Sequence, residues 1–304
     1  MSRSSTVFLL VVGIVLVGLL ASVALFGWLA LREGEEGGSA SIGFGDKVAV
    51  VEVTGVILDS RSVVEALHRH GENRSIKAIV LRLDTPGGAV APSQEIYQEV
   101  LRVSREKKKP VVASMASVAA SGGYYIASAA DEIWANPGSI TGSIGVIMQW
   151  TNYAELLRWA KLRPETITSG PFKDAGNPTR EMTDEERAYF QGIIDELRNQ
   201  FVEDVAEGRK GKLTVEEVDG LADGRVFAGT EAKELKLVDS IGDLHDAIDR
   251  AAVLGKIPGE PTVVHPRPRP SGLWDMLGEG LFGGKLDVGR LSPAGGGYRF
   301  YFLW

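Results

Sequence analysis

Hydrophobic positions along the chain change their spacing twice, and each change marks a boundary. From Ser4 to Leu31 no charged residue interrupts 28 positions dominated by Val, Leu, Ile, Phe, Ala and Gly. That run exceeds the roughly 20 residues a helix needs to cross a bilayer, so a transmembrane helix is expected over 7–31. From Val48 onward the apolar positions come in short bursts. Val48–Val53 and Ala78–Leu83 are nearly continuous apolar runs, the pattern of strands buried on both faces. Val111–Ser114 and Glu132–Ala135 are further short strands. Between them, Val63–His70, the stretch from Pro92 to Glu106 and the stretch from Ser121 to Ala130 carry helical spacing, with Ile96, Val100 and Val103 forming one inward stripe. Strand, helix, strand, helix, strand predicts an α/β body with a mainly parallel sheet and flanking helices.

Further along, Tyr153–Lys161 is expected to be helical. Thr183-Asp184-Glu185-Glu186 is a capping box that opens a long amphipathic helix to about Ala206. Thr214-Val215-Glu216-Glu217 repeats the device, Gly224–Phe227 suggests a small strand or turn, and Thr230–Lys236 and Asp243–Leu254 are two more helices. From Ile257 the spacing changes again: Pro258, Pro261, Pro266, Pro268 and Pro270, then glycine-rich sequence, then Tyr298-Arg299-Phe300-Tyr301-Phe302-Leu303-Trp304. This is expected to be an extended tail outside the core. An exposed aromatic terminus is a liability, so it is expected to lie on a neighbouring subunit or in a groove. The resulting division is a cytoplasmic N-terminus over 1–6, the membrane helix over 7–31, a Gly/Ser/Glu-rich linker over 32–45, a folded domain over 46–256 and the tail over 257–304. A cleaved signal peptide is the alternative reading of the first segment, with Ser22-Val23-Ala24 as its small-x-small site. The apolar run continues past that site, which favours a retained anchor. Arg3 and the terminal amine before the span, against Arg32 and then Glu33, Glu35 and Glu36 after it, give a small charge bias that favours the N-terminus in the cytoplasm and the body outside.

Composition narrows the chemistry. Among 304 residues there is no cysteine, which removes thiol nucleophiles, thiolate metal sites and disulfides. Only His68, His70, His245 and His265 are present, with no H-E-x-x-H pair, so a zincin site is out and neither a metal nor a cofactor is expected. A net charge of −7 argues against a nucleic-acid partner.

Three segments fall at carboxyl ends of predicted strands, where α/β proteins build their sites. Asp84-Thr85-Pro86-Gly87-Gly88 is either a plain glycine turn or a backbone cradle for an oxyanion. Ala120-Ser121-Gly122-Gly123-Tyr124-Tyr125 places Ser121 at a helix start, as an N-cap or as an exposed nucleophile. Gly138–Gly145, with Ser139, Thr141 and Ser143, either lines a cleft or turns the chain. A serine nucleophile needs a base. His245 and His265 have no evident orienting carboxylate, whereas Lys173, in Ser169-Gly170-Pro171-Phe172-Lys173-Asp174, sits among turn formers beside an aromatic. A lysine serves as base once burial keeps it neutral; a solvated surface lysine is the alternative.

Taken together in this order, Asp84-Thr85-Pro86-Gly87-Gly88, Ala120–Tyr125, Thr141-Gly142-Ser143-Ile144-Gly145, Ser169-Gly170 with Lys173-Asp174, Arg180 with Met182-Thr183, and Asp223–Phe227 resemble the short form of signal peptide peptidase A, within the ClpP/crotonase fold superfamily. The resemblance spans about Val48 to Leu254. It implies a membrane-anchored serine endopeptidase with a Ser/Lys dyad that degrades signal-peptide remnants and other unfolded chains. By that pattern Ser121 is the nucleophile, Lys173 the general base, Ser143 the hydroxyl that orients the lysine, and Gly88 the backbone N–H donor to the oxyanion. It further implies no cofactor and a ring-shaped homo-oligomer of eight subunits whose sites form where subunits pack. The absence of an internal repeat suits the short form. Rival expectations are a sibling Ser/Lys protease working with a stomatin-like partner, a non-proteolytic crotonase-type enzyme that coenzyme A binding would reveal, and an inactive scaffold.

Overall fold

The computed structural model describes residues 45–266 and, as backbone, residues 301–303. The expected membrane helix and most of the expected tail lie outside these residues. Among the described residues no helix is long and apolar enough to cross a membrane.

The centre is an eight-stranded, mainly parallel sheet. Strand β1 (Lys47–Thr54) leads through helix α1 (Arg61–Glu72) to β2 (Ile76–Thr85), then to the short β3 (Gly87–Ala89) and helix α2 (Val90–Leu101), which widens into a π-turn over Arg102–Glu106. Strand β4 (Val111–Ala120) runs straight into helix α3 (Gly122–Ser128). Strands β5 (Glu132–Ala135) and β6 (Ile140–Gly142), helix α4 (Ala154–Trp159), the long helix α5 (Asp184–Gly208), α6 (Val215–Leu221), β7 (Val226–Ala228), α7 (Gly229–Glu234), β8 (Ser240–Ile241), α8 (Leu244–Leu254) and β9 (Thr262–Val264) follow. The main path through the sheet is β7-β6-β4-β2-β1-β9. β5 pairs with the first half of β4 and with β8. Only β6 and β7 pair antiparallel within it.

The continuous apolar runs are explained by helices on both faces. Val48, Val50, Ala78, Val80 and Val112 face α8, packing on Ala247, Ile248, Ala251 and Ala252. The alternating residues Ala49, Val51, Val53, Ile79, Leu81 and Leu83 face the opposite way, towards Leu67 of α1, Ile96 and Val100 of α2, and Phe201 of α5. A period of two with both faces covered favours apolar side chains at nearly every position, with Glu52 and Arg82 as the charged exceptions. The two expected capping boxes are present: Thr183 accepts from the Glu186 N–H and Thr214 from the Glu217 N–H, with the glutamates reaching back in each case.

Two expectations are corrected. Strand β4 continues six residues past Ser114, because Val118–Ala120 pair with Ile140–Gly142 of β6. The sheet also extends beyond residue 256: Thr262–Val264 pair in parallel with Lys47–Ala49, and Ile257 and Val263 pack on the α8 layer. Two valines at an edge are enough to join a sheet, and the prolines around them are tolerated there.

One buried ion pair holds the α5–β8 region. The Arg209 side chain is 1% exposed and donates to both Asp239 oxygens at 2.7 and 2.8 Å, with two further bonds to the Lys236 carbonyl at 3.2 and 2.8 Å. Burial pushes the Asp239 carboxyl up, but its bonds to Arg209 outweigh this and hold it below its ordinary value. Asp239→Ala leaves a guanidinium buried without its counter-charge, and about 3–5 kcal/mol of stability is expected to be lost, read from the urea midpoint. In the native chain this contribution is fully present above the ordinary carboxylate pKa. It fades as pH falls through the lowered folded value.

Candidate active site

Three parallel strand ends converge. Thr85 of β2 pairs with Ala119 of β4, and Ala120 of β4 pairs with Gly142 of β6. The residues that follow, Ser121 and Ser143, therefore leave the sheet side by side. The Ser121 N–H donates to the Gly142 carbonyl at 2.8 Å, and the Ser143 N–H to the Arg225 carbonyl at 2.8 Å. Both serines have positive φ, 53° and 51°. For a residue with a side chain this conformation costs about 1–3 kcal/mol and persists only where its surroundings impose it.

Ser121 sits at the sharp turn between β4 and α3 with no exposed surface. Its Oγ is buried and has no hydrogen-bond partner among the described residues. It caps nothing: no side-chain cap bond is made to α3. A buried hydroxyl normally finds a partner, and leaving one unpaired costs about 1–3 kcal/mol. The helix behind it is fixed by aromatic packing. Tyr125 lies 4.9 Å from both the Tyr97 and the Phe201 rings and bonds to the Asp204 carboxylate, and the Tyr124 hydroxyl donates to the Leu237 carbonyl at 3.0 Å.

Opposite Ser121 runs the Gly87-Gly88 segment. The expected turn is a strand, held by an isolated bridge to Ile57: the Ile57 N–H donates to the Gly87 carbonyl at 2.9 Å and the Ala89 N–H to the Ile57 carbonyl at 2.7 Å. A Cβ on Gly88 would lie 2.1 Å from the Ile57 oxygen, so no other residue fits that approach. Since Gly87 and Ala89 spend these groups on Ile57, strand alternation turns the Gly88 N–H to the other side. A Cβ on Gly122 would lie 3.2 Å from the Gly88 nitrogen, which places that nitrogen against the residue following Ser121.

The fourth expected residue is not joined to these three within the chain. Lys173 is exposed on a turn, its N–H donating to the Gly170 carbonyl at 3.1 Å, and among the described residues its Nζ has no partner. The turn itself is clamped. Arg180 donates from Nε to Asp174 Oδ2 at 3.0 Å and from Nη2 to the Asp174 carbonyl at 2.7 Å, while its Nη1 reaches Glu186 Oε2 at 2.9 Å. Glu186 is buried, and the Arg180 guanidinium holds its carboxyl down at about 2. The residue before this pair, Lys173, is thereby tied to the capping box of α5. Reasoning from residues alone missed this clamp, although Arg180 and Thr183 were among the matching motifs. It also missed Ile57, which carries no signal beyond being apolar. Neither His245 nor His265 bonds to Ser121; His245 is exposed on α8 and faces Asp249 at 3.8 Å.

A strained serine on a strand-to-helix turn, followed by a glycine that lies against a backbone nitrogen, is an arrangement that suits acyl transfer. The model of peptidase family S49 matches residues 103–257. A putative protease of Synechocystis is 44% identical over 210 residues, 68% of this chain and 74% of that protein. A putative protease of Methanocaldococcus jannaschii is 33% identical over 77% of this chain and 78% of that protein. A putative signal peptide peptidase SppA of Enterococcus faecium is 33% identical over 67% of this chain and 62% of that protein. The chain belongs to peptidase family S49 and is an SppA-type member of it.

Proposed function

We propose that the chain is a membrane-anchored serine endopeptidase of ClpP/crotonase-like fold that cleaves signal-peptide remnants and other unfolded polypeptides, with Ser121 as nucleophile and Lys173 as general base. The observation that carries this is the buried Ser121 Oγ, unpartnered among the described residues, on its strained turn just before Gly122, which lies against the Gly88 nitrogen. An extended peptide laid on the outer edge of β3 presents its carbonyl to the Gly88 N–H. Neutral Lys173 takes the Ser121 proton as Oγ attacks, the oxyanion is held by Gly88, and the proton passes to the leaving amine. Water then releases the acyl-enzyme. Ser143 orients the lysine amine.

The base comes from a neighbouring subunit in this account. Among the described residues Ser121 Oγ has no partner, and Lys173 stands exposed amid uncovered apolar side chains. Trp159 is 81% exposed and Ile167 fully so, with Leu156, Leu162, Phe172 and Tyr189 also uncovered. Covering them with a second copy removes water from Lys173, which favours its neutral form. A closed ring of eight such subunits follows from the short-form resemblance, anchored by residues 7–31 with the catalytic bodies outside the cytoplasm. The SppA name of the Enterococcus relative and the apolar nature of signal peptides support the substrate class.

A fluorophosphonate probe tests the nucleophile directly. A single adduct on Ser121, mapped by peptide mass and absent from Ser121→Ala, is expected. An adduct elsewhere, or none on an enzyme that hydrolyses peptides, contradicts the assignment.

A further inference from the structure

One buried side chain touches both halves of the candidate site. Thr85, the last residue of β2, has no exposed surface. Its hydroxyl donates to the Gly55 carbonyl at 2.5 Å and accepts from the Gly87 N–H at 3.1 Å. Its methyl faces the helix that follows the serine: a Cβ built on Gly123 would lie 2.7 Å from Thr85 Cγ2. The turn after β1, the strand carrying Gly88 and the first turn of α3 therefore meet on one threonine.

The bonds of β3 show what this hydroxyl adds. On its outer edge runs a tenth strand, β10 (Tyr301–Leu303), antiparallel to it with Phe302 opposite Gly88. On the inner edge Ile57 takes the Gly87 carbonyl and the Ala89 N–H. In a strand the N–H and carbonyl of one residue point the same way, so the Gly87 N–H also faces inward, onto Thr85 Oγ1. Pro86 has no N–H, which makes the Thr85 bond the first to fix β3 as the chain leaves β2. Gly87 has a φ of 103°, and a glycine has no side chain of its own to hold such a conformation.

We propose that Thr85 is a positioning residue for acyl transfer, its hydroxyl holding the Gly88 N–H where the oxyanion forms beside Ser121. This rests on the reading of Ser121 as nucleophile and Gly88 as oxyanion donor. The Gly55 carbonyl takes the hydroxyl hydrogen, which turns the Oγ1 lone pairs to Gly87. The methyl against Gly123 keeps the β-branched side chain from rotating away. A donor lowers the barrier only if it is already aimed when charge develops, and a misplacement near 1 Å costs about 10²-fold in rate. Thr85 acts through Gly87, one residue from that donor.

Full-length protein in detergent is assayed on a synthetic signal peptide and inhibited with the peptide aldehyde of the same sequence. The hemiacetal of that aldehyde with serine places an oxygen where the oxyanion would stand. Thr85→Val keeps the shape without the hydroxyl, Thr85→Ala removes both branches, and Thr85→Ser keeps the hydroxyl. For Val and Ala, kcat is expected to fall about 10²-fold with KM nearly unchanged, and the aldehyde to bind more weakly by a similar factor. Thr85→Ser is expected to recover most of both losses. A lowered melting temperature with kcat and aldehyde binding unmoved shows a role in the fold alone and overturns the proposal. A Thr85→Ser protein about 10²-fold slower than wild type also overturns it, and this arm stands even where the other two variants fail to fold. Hydrolysis lost in Ser121→Ala but indifferent to Thr85 leaves the peptidase reading standing without this one. No hydrolysis by folded wild type overturns both.

Discussion

Ser121→Ala is expected to lower hydrolysis of a synthetic signal peptide by about 10⁴-fold or more while leaving the fold intact. The change removes one oxygen that bonds to nothing among the described residues, from a residue with no exposed surface. Deleting an unpartnered buried hydroxyl takes away a desolvation cost, so the melting temperature should hold or rise slightly. A structural serine behaves in the opposite way, losing stability with little effect on rate. The two readouts together therefore separate a nucleophile from an N-cap. Equal hydrolysis by the variant and the wild type would assign the activity to another residue or to a contaminant.

Gly88→Ala carries the second large effect. The added Cβ falls 2.1 Å from the Ile57 oxygen and 2.5 Å from its nitrogen, both backbone atoms held by two short bonds. Neither side can yield as a flexible side chain would, so β3 must move off Ile57 and its N–H turns away from Ser121. Losing one aimed donor costs about 10²–10³ in kcat. The expected outcome is that loss with a melting temperature lowered by several degrees and the secondary structure, by circular dichroism, retained. Full activity with a normal KM would show that the Gly88 N–H does not serve the oxyanion.

Much of this architecture was legible before the structure, for physical reasons that differ by element. Ala78–Leu83 was visible as a strand because both faces are covered, which keeps the run apolar at every position but Arg82. The helix starts at Thr183 and Thr214 were visible because capping chemistry is local. The last six residues of β4 were not, since Met115–Ala120 is mostly Ala and Ser and acquires its strand form from β2 and β6, not from propensity. For the same reason Gly87-Gly88 suggested a turn, and only the distant Ile57 makes it a strand. At the site, each residue named from the sequence was chosen singly or by resemblance. That Ser121 and Ser143 stand side by side follows from the Ala120–Gly142 register, a pairing across 22 residues that no local pattern encodes. The strand formed by Tyr301–Leu303 was anticipated only as an apolar end in need of cover.

The claim on which the mechanism turns is that Ser121 of one subunit works with Lys173 of the next. Mixing subunits tests it. Ser121→Ala and Lys173→Ala proteins, each inactive alone, are dissociated, combined in equal amounts and allowed to reassemble. Random mixing leaves about one interface in four with both native residues, so about a quarter of wild-type hydrolysis is expected to return. A mixture as inactive as its components, while native and mutant subunits are found in the same assemblies, would contradict a site shared between chains.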